Sequence, residues 1–284
     1  MIRLGTRGSA LALAQARIVA DALGPDAETV VIRTAGDGTD RPIAELGDGA
    51  FVGSIEEALR AGRIDLAVHS LKDLPTTEDD ELVLAAITER EDVRDVAIAR
   101  SRGGLGSLPA GAVVGTSSPR RAAFVAGLRP DLVAREIRGN VDTRLRKVRD
   151  GQYDAVVLAA AGLHRLGIAF DEPEALDPRE WPPAPGQGAL AVQARASDVA
   201  SRERVAGLDH PPTRQAVTAE RSLLHRLGAS CALRLGALGT AEDGALRLDA
   251  VLVRDGRVLR ASARAVDPDA AAALVASELD GVHA

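Results

Sequence analysis

The sequence is poor in the residues that cross-link small folds. One cysteine, Cys231, stands in 284 residues, which excludes an internal disulfide and any multi-cysteine metal site. Aromatic residues are scarce too: Phe51, Phe124, Phe170, Trp181 and Tyr153 complete the set. The cores must be built mainly from Ala, Val and Leu, and a base-stacking nucleic-acid surface has no material. A formal net charge of −6 argues against a phosphate-backbone binder. No apolar run approaches membrane-spanning length, and the short run at 10–14 is broken by Gln15 and Arg17, unlike a secretion signal. A Walker lysine motif and a G-x-G-x-x-G after a strand are both missing, so nucleotide binding has no support. Lysine itself is nearly absent: Lys72 and Lys147 are the only two, and every other basic residue is arginine.

What is there fits a globular protein of two or three domains, 46% hydrophobic and 27% charged. The apolar run 64–68 leads into His69-Ser70-Leu71-Lys72-Asp73-Leu74-Pro75. Ligand sites of open α/β sheets lie where a strand's carboxyl end meets a loop. Pro75 keeps Leu74 extended and stops a helix there, so Ser70, Lys72 and Asp73 are presented together on a turn. Read alone, the turn is better explained as a solvated Lys–Asp pair, and the rest of the chain reverses that balance.

Strand–helix units recur along the chain. Strands are expected at 2–6, 29–34, 64–68, 82–87, 96–99, 113–115, 132–137, 155–158 and 189–193. Ser9 is expected to cap a helix whose apolar positions are Leu11, Ala14, Ile18 and Ala22. A glycine-rich loop, 36–49, is a candidate lid or a plain connection. The stretch 88–92 reads as a change of domain, and Pro183-Ala184-Pro185-Gly186-Gln187-Gly188 as a rigid return. A helix is expected over 213–227, with Ala216, Ala219, Leu223, Leu224 and Leu227 inward. Strands at 233–238, 245–253 and 258–265 follow, joined by Asp243-Gly244 and Asp255-Gly256, which signal hairpins. The fold class is therefore α/β with a small C-terminal α+β domain carrying an antiparallel sheet. The lobes are placed at 1–90 with 189–207, at 94–183, and at 211–284.

Arginines gather at the strand-to-helix junctions: Arg7, Arg120, Arg121, Arg138 and Arg144. A cation in a helix's first turn opposes the helix dipole. Five such placements point to a polyanionic ligand, because arginine pairs carboxylates and phosphates bidentately. The alternative is that they bridge to local Asp and Glu. Ser118 and Asn140 are plausible caps and Pro119 suits a first turn. Cys231 lies in a small-residue loop, where either inert burial or exposed reactivity is open.

Seven short motifs, in order, resemble hydroxymethylbilane synthases, also called porphobilinogen deaminases. They are Thr6-Arg7-Gly8-Ser9-x-Leu11-Ala12, the His69–Pro75 run, Gly115-Thr116-Ser117-Ser118-x-Arg120-Arg121, Arg138-Gly139-Asn140-Val141-x-Thr143-Arg144-Leu145, Ala161-Gly162-Leu163-x-Arg165-Leu166, Pro185-Gly186-Gln187-Gly188 and the cysteine loop. The resemblance covers nearly the whole chain. It implies two periplasmic-binding-protein-like lobes flanking a cleft and a third domain carrying the cysteine. It implies a dipyrromethane cofactor bound by a thioether to Cys231, and a reaction joining four porphobilinogens head to tail with loss of ammonia. By resemblance Asp73 is the catalytic carboxylate, stabilising the cation formed as ammonia leaves. The cofactor set is then Cys231, Lys72, Ser70, Ser118, Arg120, Arg121, Arg144 and Gly139. The substrate set is Arg7, Ser9, Gln15, Arg138, Arg165, Gln187 and Phe51. A cytoplasmic monomer taking porphobilinogen, with no nucleic-acid or membrane partner, is the expectation. The family's lid segment commonly carries lysines, and here 36–49 has none. A rival from another class is a non-catalytic binder of a small carboxylate, which would need neither Asp73 nor Cys231.

Overall fold

The computed structural model describes residues 1–34, 52–77, 79–101, 103–169, 173–228 and 233–281. The candidate lid at 36–49, Phe51 and Cys231 lie outside them. The chain divides into two compact units, residues 1–91 with 186–215, and residues 92–185 with 216–284.

In order, the first stretch holds β1 (Ile2–Thr6), α1 (Ala10–Leu23), β2 (Ala27–Val31), α2 (Gly53–Arg60), β3 (Leu66–Ser70) and β4 (Leu82–Ile87). Then come β5 (Asp95–Ala99), β6 (Val113–Gly115), α3 (Pro119–Leu128), β7 (Val133–Arg135), α4 (Val141–Arg149), β8 (Ala155–Ala159), α5 (Ala160–Arg165) and β9 (Glu174–Ala175). The chain continues with β10 (Leu190–Arg195), α6 (Val199–Val205), α7 (Pro211–Arg226), β11 (Leu235–Glu242), β12 (Ala245–Arg254), β13 (Arg257–Ala265) and α8 (Pro268–Gly281).

The first unit's sheet has the order β2-β1-β3-β10-β4, with β1 parallel to β2 and β3, and β10 antiparallel to both its neighbours. The second unit repeats the plan as β7-β6-β8-β5-β9, with β5 as the antiparallel insert. Each sheet thus accepts one strand that arrives by a crossing segment. Both faces of the central strands are covered, so β3 and β8 read as near-continuous apolar runs rather than alternating ones.

Helix α1 starts where expected, with Ser9 Oγ accepting from the Ala12 amide (3.2 Å). Its inward side differs from the expectation: Ala12, Gln15, Ala16, Val19 and Leu23 are buried, whereas Ile18 is 45% exposed. Small side chains let the helix lie close on the sheet, and the larger Leu11 instead lines a cavity. On α3, Ser118 Oγ accepts from the Arg121 amide and Pro119 opens the helix. Asn140 stands at the start of α4 without a side-chain cap bond.

The C-terminal segment forms the antiparallel sheet β11-β12-β13. Both Asp-Gly pairs have positive φ at both residues, Asp243 (46°) with Gly244 (76°) and Asp255 (51°) with Gly256 (74°), the signature of tight type I′ hairpins. Strand β12 divides its side chains by the two-residue period. Leu246, Leu248, Ala250 and Leu252 pack with α7 and α8, while Val251 and Val253 join the cluster of Phe124 and Trp181. Among the described residues no helix is long and apolar enough to cross a membrane.

Candidate active site

In the first unit, β3 delivers the expected turn. Leu71 and Leu74 are buried and closed by a Leu74 N–H to Leu71 O bond (3.1 Å). That anchorage turns Lys72 and Asp73 outward: Lys72 is half-buried and Asp73 exposed. Lys72 Nζ donates to Gln187 Oε1 (3.2 Å), so the return segment and the turn are tied together. Gln187 is itself buried, and its backbone carbonyl accepts from Arg90 Nε (2.8 Å). Gln15 Nε2 donates to Ser70 Oγ (2.8 Å).

A small cavity, about 60 Å³, lies at these strand ends, with Arg7, Ser9, Gln15, His69, Ser70 and Asp73 in its wall. Five sequence-predicted residues thus share one wall: Arg7, Ser9, Gln15, Ser70 and Asp73. His69, which carries no expected role, stands in the same wall. Its ring is 6% exposed; burial pushes its pKa down to about 4, the Gln193 amide opposing and the Arg7 charge assisting. Gln193 in turn donates from Nε2 to Glu56 Oε1 (3.1 Å).

In the second unit Arg120 and Arg121 occupy the first turn of α3, as expected, but both are buried, at 3% and 8% exposure. They converge on Asp95, a residue the sequence reading passed over. Arg120 donates to Asp95 Oδ2 (2.5 Å) and Arg121 to Asp95 Oδ1 (2.7 Å). The Trp181 indole donates to Oδ2 as well (2.8 Å). Arg138 pairs with Glu136 (2.8 Å). Local bridging, the alternative to ligand pairing, therefore accounts for part of what these arginines do.

Arg144 differs. Its Nε donates to the Gly139 carbonyl (2.8 Å), and its pKa is pushed down to about 10 by burial, with Arg121 and Arg138 adding repulsion. Two guanidiniums near enough to repel that of Arg144 concentrate positive charge that suits carboxylates. Gly139 has φ +108°, and a Cβ there would sit 2.7 Å from Thr143 Cγ2. Arg165 lies in the last turn of α5, where a cation suits the helix dipole. Among the described residues no group of His, Cys, Asp and Glu could hold a metal. The missed residues left one faint signal: Asp95 is a lone carboxylate opening an otherwise apolar strand.

Strand ends furnished with a half-buried lysine and with buried or half-buried arginines define a class: open α/β proteins whose ligand sites lie at the carboxyl ends of their strands. The family whose sequence model is described as "Porphobilinogen deaminase, dipyromethane cofactor binding domain" matches residues 2–203, and its "C-terminal domain" matches residues 214–279. The porphobilinogen deaminase of Roseiflexus castenholzii is 48% identical over 98% of this chain and 95% of its own. That of Mycobacterium ulcerans is 52% identical over 84% and 77%. The chain belongs to the porphobilinogen deaminase family. Among solved structures, the second substrate binding domain of a putative amino acid ABC transporter from Streptococcus pneumoniae aligns with a TM-score of 0.44 at 13% identity, over 72% of this chain and 90% of that one.

Proposed function

We infer that this chain runs the reaction for which its family is named. It is a transferase of porphyrin and heme biosynthesis that joins four porphobilinogen molecules head to tail, releases ammonia at each step and yields hydroxymethylbilane. The observation that carries the residue assignment is the shared cavity wall of Arg7, Ser9, Gln15, Ser70 and Asp73.

The residues fit the dipyrromethane that the family's first domain is named for. Its carboxylates suit Arg144, which Arg121 and Arg138 both repel. When bound, the group supplies the primer on which the pyrrole chain grows. In this reading Lys72, Ser70, Ser118, Arg120, Arg121, Arg144 and Gly139 hold it, and Cys231 carries it through a thioether. Arg7, Ser9, Gln15, Arg138, Arg165, Gln187 and Phe51 hold porphobilinogen. Asp73 stabilises the positive charge that develops on porphobilinogen as ammonia departs, and takes up the proton lost when the new bond forms. We assign three domains, at 1–90 with 189–207, 94–183 and 211–284; the C-terminal sheet and its two helices share one cluster of buried side chains. We assign the protein as a cytoplasmic monomer without nucleic-acid or membrane partners.

Intact-protein mass spectrometry tests the reading. The holoprotein is expected to exceed its sequence mass by two linked pyrrole units, and Cys231→Ala to lack both the addition and turnover. A fully active protein of bare sequence mass would refute covalent attachment. Asp73→Ala is expected to keep the fold, since the side chain is exposed, and to lose about 2.7–4 kcal/mol of transition-state stabilisation. Steady-state kinetics with a loss under tenfold would place the catalytic charge elsewhere.

A further inference from the structure

Asp95 opens β5 and is fully buried. Its two oxygens are divided between adjacent guanidiniums, at 2.5 Å to Arg120 and 2.7 Å to Arg121, and the Trp181 indole holds the carboxylate from a third side at 2.8 Å. The arginines are fixed at their far ends too. Arg120 donates to the Pro182 carbonyl (2.6 Å) and lies 5.5 Å from the Phe124 ring centre; Arg121 donates to the Val157 carbonyl (3.3 Å). Neither guanidinium can swing without breaking a buried bond.

We propose that Asp95 is a positioning residue for cofactor loading: it fixes Arg120 and Arg121 in one buried arrangement. The inference rests on the cofactor reading above. Asp95 itself touches no ligand and acts through the two arginines. Asparagine at 95 keeps the shape and one acceptor but removes the charge that orients both cations.

Full-length apoprotein of each variant is incubated with porphobilinogen, and cofactor addition is read by intact mass beside a thermal melt. Asp95→Asn is expected to need roughly tenfold more porphobilinogen for half-loading, the scale on which removing an outer support weakens a binding site. Val114→Ala, a buried core truncation in the same sheet, is expected to lower the melting temperature yet load at the wild-type concentration. If Val114→Ala loses loading in step with its melting temperature as Asp95→Asn does, Asp95 contributes stability alone and the inference is overturned. If Asp95→Asn loads normally while Arg121→Gln does not, positioning by Asp95 is overturned and the cofactor reading stands. If Arg121→Gln also loads normally, the cofactor reading of that arginine falls instead. Should Asp95→Asn fail to fold, the pair Arg120→Gln and Asp95→Asn/Arg120→Gln decides, since the double variant removes one buried cation with the carboxylate. Poorer loading by the double variant supports the inference, and equal loading overturns it.

Discussion

His69 carries the clearest solution signature of any single residue. Its native pKa, near 4, lies below the ordinary 6.5 because the ring is buried. Above pH 6.5 both folded and unfolded chains hold the ring neutral, and it contributes no pH dependence. As pH falls from 6.5 towards 4, the unfolded chain takes up a proton that the native ring refuses, so stability falls across that window. The full loss is on the order of 3 kcal/mol. Urea unfolding at several pH values is expected to show that slope in the wild type and a flatter one in His69→Gln. Parallel curves would mean that the native ring protonates freely.

Asp73 and Lys72 were legible as residues because a strand end, two inward leucines and a proline leave a turn little choice of display. Asp95 was not legible. Its partners stand 25 and 26 positions away and meet it only once β5 enters the second sheet as a strand antiparallel to β8. A lone carboxylate before an apolar strand says nothing about who neutralises it.

At the scale of elements, the return segment before β10 depends on a glycine. Gly188 has φ +91°, and a Cβ would stand 2.5 Å from the Glu91 carbonyl oxygen. That carbonyl is backbone and has no free end to yield. The amide of Glu91 also donates to the Gly188 carbonyl (3.2 Å), so the two crossing stretches are bonded side by side. Gly188→Ala is expected to cost about 1–3 kcal/mol by chemical unfolding and to weaken substrate binding by displacing Gln187 from Lys72. Gly207→Ala, with nothing within 4 Å, is the control and should stay within about 0.5 kcal/mol of wild type. Equal stability of the two variants would show that the segment relaxes around the methyl group.

Elements differed in how far sequence alone could reach. The hairpins of β11 to β13 were legible because Asp-Gly needs no tertiary help to adopt positive φ. The inward side of α1 was misread because hydrophobicity favours Leu11 and Ile18, while close packing on a sheet favours Ala12 and Ala16. The strands 29–34 and 132–137 were read too long, since apolar residues continue past the last ladder pairs at Val31 and Arg135.

At the scale of the whole molecule, an acidic protein of net charge −6 handles acidic molecules, and the contradiction is resolved by where the charges lie. Several arginines at strand ends are buried or half-buried, where screening by salt is weak, while many carboxylates stand exposed. The repeated sheet order supplies such strand ends twice from one plan, and the antiparallel module adds a separate core with its own helices.

The scarcity of aromatic residues has an optical consequence. Trp181 is the only indole in the chain; it is 1% exposed, set edge-on to Phe124 at 5.3 Å, and bonded to Asp95. All tryptophan emission from this protein therefore originates one hydrogen bond away from the Arg120–Asp95–Arg121 trio. Its wavelength and intensity are a label-free meter of the electric field there, readable in real time while the protein loads.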